Sequence, residues 1–127
     1  MPIRLLLDTH IFLWLTADDR HLSVPARQLL TSASEIFISS ASIWEIAIKF
    51  RIDKIKVDPD DAILEMKTCG FRELLVSSVH AAAVAKLPLH HRDPFDRLLI
   101  AQAIAEHLQL VTADARFSAY SGLVTVV

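Results

Sequence analysis

Four acidic residues of this 127-residue chain, Asp8, Glu45, Asp96 and Asp114, lie far apart in sequence, yet each sits at the border of an apolar segment or on the polar side of one. Asp8 follows the run "IRLLL" and Asp114 follows "LQLVTA". Glu45 falls within "SASIWEIAIKF", and Asp96 opens "DRLLIAQAIAEHLQL". Carboxylates gathered in one pocket repel one another, and a hard divalent cation offsets that cost. Magnesium and manganese favour such oxygen ligands. With one or two ions held there, the natural chemistry is phosphodiester hydrolysis. The metal generates the attacking hydroxide, polarises the phosphoryl oxygen and stabilises the leaving oxygen.

The acids meet only if the elements around them end at one edge. Residues 3–7 read as a buried strand that stops just before Asp8. "THIFLWLT" reads as a helix, and "SVPARQLL" as another, with Ser23 as its cap and Pro25 near its first turn. "EIFIS" reads as a second strand. "SASIWEIAIKF" is helical, with Ile43, Ile46, Ala47 and Phe50 on an apolar face and Ser42, Glu45 and Lys49 on a polar stripe. "DPDDAILEMKTCG" has the acid, proline and terminal glycine of a complete helix. "RELLVS" reads as a third strand, "SVHAAAVAKL" as a helix, residues 94–107 as a long helix, residues 108–113 as a fourth strand and "GLVTVV" as a fifth. This alternation predicts a three-layer α/β/α fold around a central parallel sheet of four to five strands, in one domain spanning residues 1–127. Such sheets hold ligands outside the carboxyl ends of their strands. Right-handed crossovers start the following helices at that same edge. All four acids are expected there.

Each acid also has a purely structural reading. Asp8 and Asp114 each suit the start of a turn. Glu45 and Lys49 have the spacing of a surface ion pair one helical turn apart. Asp93 followed by Pro94 makes an N-cap with proline at the first helical position, which leaves Asp96 at the third, where the helix dipole favours an acid. The shared edge of the other three is what favours a common site.

Composition narrows the field. There are only two glycines, so neither a Rossmann glycine loop nor a P-loop is possible. No run of apolar residues is long enough for a membrane span, and "MPIRLLLDTH" reaches an aspartate too early for a signal peptide. A single cysteine, Cys69, excludes an internal disulfide and fits the cytoplasm. The net charge of −2 means that any polyanion must be met by a local patch or by metal. At 53% hydrophobic residues and a mean hydropathy of +0.40, the chain is expected to cover some apolar surface with a partner or a second copy.

The segments "LLLDTHIFLW", "SSASIWEIAIK", "RDPFDRLLIAQA" and "LVTADARF" together resemble the PIN-domain ribonucleases, specifically the VapC-like toxins of type II toxin–antitoxin modules. The resemblance covers nearly the whole chain in order and departs from the family pattern at none of the four acids. It implies that Asp8, Glu45, Asp96 and Asp114 are catalytic and metal-binding, with Mg2+ or Mn2+ as cofactor. It also implies an RNA substrate, a homodimer and a cognate antitoxin protein. Asp93 is a fifth acid whose role stays open.

Around these, Thr112 and Ser42 suit the orientation of a carboxylate or a water, or equally a local backbone bond. His10 suits a phosphate contact, though a packed histidine is the expectation. Trp14 and Trp44 suit stacking on RNA bases, but their apolar helices favour core or interface packing. Lys49, Arg51, Lys54 and Lys56 are either a solvated face or an RNA backbone track. Arg97 and Arg116 suit pairing with an acid or holding the scissile phosphate. His90 and His91 with Asp93 have no further partner at zinc-site spacing. Two rival classes remain: a non-catalytic α/β interaction domain, and a phosphorelay receiver-like domain. The latter lacks both its acidic pair after the first strand and its aspartate after "RELLVSS".

Overall fold

The computed structural model describes residues 2–88, 93–120 and 122–127. Five strands, β1 (Arg4–Leu7), β2 (Glu35–Ser39), β3 (Arg72–Leu74), β4 (Gln109–Thr112) and β5 (Val124–Val126), form one parallel sheet in the order β3-β2-β1-β4-β5. Helices α1 (Thr9–Thr16) and α2 (Val24–Ser32) connect β1 to β2, and α3 (Ser40–Arg51) and α4 (Pro59–Thr68) connect β2 to β3. Between β3 and β4 run α5 (Ser78–Ala83), a 3-10 turn (Val84–Lys86) and α6 (Pro94–Glu106). A second 3-10 turn (Ala115–Ala119) precedes β5.

Side chains alternate across a strand, so the three leucines of β1 serve two cores. Leu5 and Leu7 pack on one face with Ile11, Phe12, Leu30, Ile38 and Ile46. Leu6 packs on the other with Phe37, Leu99, Ile100, Leu110 and Phe117. Each such leucine, fully buried, stabilises the fold by roughly 1.5–3 kcal/mol. The sheet thus lies between two helical layers, as the expected α/β/α fold requires.

Local chemistry sets the helix ends. Ser23 accepts from the Ala26 amide and starts α2, and Asp58 accepts from the Asp60 amide and starts α4. Gly70, at φ 75°, closes α4 in the left-handed conformation that an L side chain disfavours. His107 plays the same part after α6 at φ 53°, so that helix stops one residue short of the expected end.

Two expectations need correction. The third strand is three residues long rather than six, because the Val76 amide turns to the Ser40 hydroxyl at 3.1 Å and Ser77 already caps α5. On α3 Phe50, expected on the apolar face with Ile43, Ile46 and Ala47, is exposed together with Trp44 and Ile48, while Ser42 and Glu45 of the polar stripe are buried with Ile46. Among the described residues, no helix is long and apolar enough to cross a membrane.

Candidate active site

The strand order makes β1 a point of reversal. The chain lays β2 and β3 on one side of β1, then returns to set β4 and β5 on the other. The connections leaving β1 and β4 therefore diverge and open a crevice at the carboxyl edge. Asp8 stands at its centre. Its amide donates to the Val111 carbonyl at 3.0 Å, which continues the β1–β4 pairing by one residue. Its Oδ1 caps α1 by accepting from the Ile11 amide at 2.8 Å, and its Oδ2 accepts from the Thr112 hydroxyl on β4 at 2.5 Å. Burial raises the Asp8 pKa above the usual carboxylate range, against the pull of the Thr112 and Ile11 hydrogen bonds.

Glu45 arrives from the other side of β1. Ser39 is both the last residue of β2 and the N-cap of α3, accepting from the Ala41 amide, so α3 leaves the sheet without a loop. Little more than a turn later Glu45 is only 3% exposed. Its Oε1 accepts from the Thr9 hydroxyl at 2.7 Å. That hydroxyl also lies 3.0 Å from the Ser42 hydroxyl, which can donate back to Thr9 once the Thr9 hydrogen is given to Glu45. Lys49 donates to Oε2 at 2.5 Å. Partial burial opposes the Lys49 charge, but Glu45, and beyond it Asp93 and Asp96, outweigh that and raise its pKa. The Glu45–Lys49 pair is therefore real, but it is an inward one and not the surface pair that spacing alone suggests.

The two aspartates at the start of α6 differ. Asp93 caps the helix, accepting from the amides of Phe95 at 2.9 Å and Asp96 at 3.2 Å. The Asp96 carboxyl is pushed up to about 7, first by burial and then by the negative charges of Asp93, Glu45, Asp8 and Asp114. Acids from four separate segments thus act on one carboxyl group. Asp114 follows β4. Its amide donates to the Thr112 hydroxyl at 3.0 Å, so Thr112 links Asp8 to Asp114. Asp114 Oδ1 accepts from the Arg116 amide, and the Arg116 guanidinium adds bonds to both carboxylate oxygens, the shortest 2.7 Å. An open depression of about 430 Å3 is lined by Asp8, Asp114, Arg116, His10 and Trp14.

The other expected residues are placed as follows. His10 is exposed on the rim of this depression and is not packed inside. Trp44 is 60% exposed, so it is not packed in the core of the single chain, and it meets Phe95 edge-on with ring centroids 5.2 Å apart. Trp14 is half-buried and stacks on His21. Arg97 donates to the main-chain carbonyls of Val84, Leu87 and Pro88, which fastens the segment before α6. Arg51 at the end of α3 and Lys54 and Lys56 beyond it are exposed, while Lys49 belongs to the acidic pocket. His90 and His91 lie outside the described residues. Thr9, which holds Glu45, is absent from the expected set. Its only signal is that it follows Asp8 directly, and contact across 36 positions is not readable from that.

A parallel α/β/α sandwich with Asp8 and Asp114 at the carboxyl edge where its sheet reverses defines the class of this protein. The PIN domain model matches residues 5–123, and the chain belongs to the PIN domain family. It is 32% identical over 117 residues to Ribonuclease VapC22 of Mycobacterium tuberculosis, an alignment covering 91% of this chain and 90% of that protein. Among solved structures, VapBC2 from Rickettsia felis, bound to a DNA fragment from its promoter, superposes with a TM-score of 0.69 at 18% identity and 98% coverage of both chains. Mycobacterium tuberculosis VapC20, described as a sarcin-ricin loop cleaving toxin, gives 0.65 at 18% identity over 91% of this chain and 93% of that one.

Proposed function

We propose that this chain is a divalent-metal-dependent endoribonuclease acting as the toxin of a type II toxin–antitoxin pair, with residues 1–127 as a single PIN-like domain. The observation that carries the reading is the match of the PIN domain model to residues 5–123, with Asp8 held between the start of α1 and Thr112 of β4 at the edge where the sheet reverses. The 32% identity to a ribonuclease over nine-tenths of both chains supports RNA as the substrate. The likeness to toxin–antitoxin complexes supports a cognate antitoxin, whose basic side chain would enter the acidic pocket.

Among the described residues, no three acidic, histidine or cysteine side chains stand together as a ready ligand set. The donor chemistry nevertheless fits a hard divalent ion: every candidate is a carboxylate, and their mutual repulsion is the cost an added cation relieves. Asp8, Glu45, Asp96 and Asp114 would hold it, and all-oxygen donors favour magnesium or manganese. When bound, the ion would supply Lewis-acid activation and a water acidic enough to attack at neutral pH. The chain's own groups do the rest. Thr112 and the Ile11 amide fix the two oxygens of Asp8, and Thr9 and Lys49 fix those of Glu45. Arg116, two-thirds exposed beside Asp114, is placed to meet a phosphate entering the crevice. Exposed apolar side chains such as Trp44, Leu75 and Val79 support a homodimer. The free Cys69 thiol supports a cytoplasmic setting.

Purified protein is expected to cut single-stranded RNA with magnesium or manganese and to stop when the metal is chelated. Asp8→Asn and Asp114→Asn should each abolish cleavage while the fold persists by circular dichroism. Cleavage that continues in chelator, or full activity in both variants, overturns the reading.

A further inference from the structure

Beside the acids runs a short ladder of aromatic rings that the proposed hydrolysis does not use. His10 and Trp14, four residues apart on α1, share one helix face, with ring centroids 6.2 Å apart. His21 stacks on Trp14 at 5.5 Å and an interplanar angle of 24°. The loop after α1 is built to hold this arrangement. The Asp19 amide donates to the Trp14 carbonyl at 2.8 Å, and the Asp19 carboxylate takes both the amide and Nδ1 of His21. Arg27 on α2 bonds to Asp18, to the Asp19 carbonyl and to the Leu22 carbonyl, which ties the loop to the body of the fold.

A ladder serving only the core would be covered, but His10 is exposed and the His21 side chain is 69% exposed. His10 and Trp14 line the same depression as Asp8 and Asp114. A ring wall in contact with the acidic centre is the surface that an unstacked base of a single strand recognises, because every nucleobase has a π face. Resting on the ribonuclease reading above, we propose that His10 and Trp14 form a subsite for one nucleobase of the RNA, adjacent to the phosphate that is cut. Stacking gives this subsite affinity and orientation without choice among the four bases.

The test uses the full chain carrying Asp96→Asn, to keep RNA intact, and Trp44→Phe, which leaves Trp14 as the one tryptophan. Short single-stranded RNA of mixed sequence is titrated against Trp14 fluorescence, alongside a ribose-phosphate chain of the same length without bases. RNA should quench Trp14 and the base-free chain should not. Trp14→Leu and His10→Ala should each weaken RNA binding by about 5- to 150-fold, the range expected for losing one stacked base. Trp14→Phe should retain most of the affinity. Equal quenching by the base-free chain, or unchanged RNA affinity in Trp14→Leu and His10→Ala, overturns the subsite. So does Trp14 quenched only by a co-purified antitoxin, since the wall then belongs to a protein partner. An unsubstituted chain that neither binds nor cuts RNA removes the ribonuclease reading as well, whereas cleavage with an indifferent Trp14 removes the subsite alone.

Discussion

At the start of α6 the Asp93 carboxylate accepts two backbone amides, while the Asp96 carboxyl lies under the charges of its acidic neighbours. Asparagine caps about as well as aspartate, so Asp93→Asn should change stability by well under ~1 kcal/mol and keep most RNA cleavage, whereas Asp93→Ala should cost about 1 kcal/mol. Asp96→Asn should lose cleavage. Its effect on stability depends on pH. The folded chain holds the Asp96 proton up to about pH 7, whereas the unfolded chain releases it near the ordinary aspartate value of 3.8. Between those values the folded state binds more protons, so this contribution is fully present below the lower value and is lost as pH rises through about 7. In metal-free thermal melts the advantage of Asp96→Asn over the unsubstituted chain should therefore grow as pH rises from about 4 to about 7 and level off above it. A constant gap would remove the repulsion argument. Lys49 supplies the opposite charge. Lys49→Met leaves buried Glu45 without its ammonium and should cost up to about 3 kcal/mol without metal. Adding Glu45→Gln to the same chain should recover part of that loss, as measured by denaturant titration.

The elements reach the site by two kinds of connection. From β1 and β2 the chain passes directly into α1 and α3, with Asp8 and Ser39 as caps, so the positions of Thr9 and Glu45 follow from strand ends with little freedom. α6 instead follows a long excursion through α5 and is fastened near both of its ends. At its far end His80 Nε2 lies 3.0 Å from Glu106, and at its near end the Arg97 guanidinium binds the carbonyls that follow α5. Hydrogen bonds from a charged donor are worth roughly 1.5–3 kcal/mol. Arg97→Ala should thus cost about 2 kcal/mol and speed amide exchange in α5 and residues 84–88 more than in β1. Uniform exchange across the chain would show that Arg97 does not fasten this segment.

In the whole molecule, several large apolar side chains are exposed. Trp44, Leu75 and Val79 are each at least 60% exposed, and the bond between Val76 and Ser40 brings together the segments that bear them. Covering such a surface in a stable pair takes roughly 1,200 Å² of total buried area. A dimer is expected in sedimentation at micromolar concentration, and Trp44→Asp should shift it toward monomer without loss of circular dichroism. A monodisperse monomer before substitution would remove the dimer.

Most of the architecture was legible in the chain because its signals are local. Apolar runs of strand length, capping residues such as Ser23 and Asp58, and Gly70 at a helix end each act over a few residues. The alternation of strand and helix then implies a parallel sheet, and the last residues of its strands point to a carboxyl edge. Asp8 and Asp114 follow from that. What only the folded chain decided is contact across long separations. The order of strands around β1 places Thr112 against Asp8, 104 positions away, and turns the polar stripe of α3 inward so that Thr9 holds Glu45. The same packing leaves His10 and Trp44 exposed, although their apolar neighbours suggest burial. Amphipathic spacing gives a helix its faces, but it does not say which neighbour, or whether water, will meet each one.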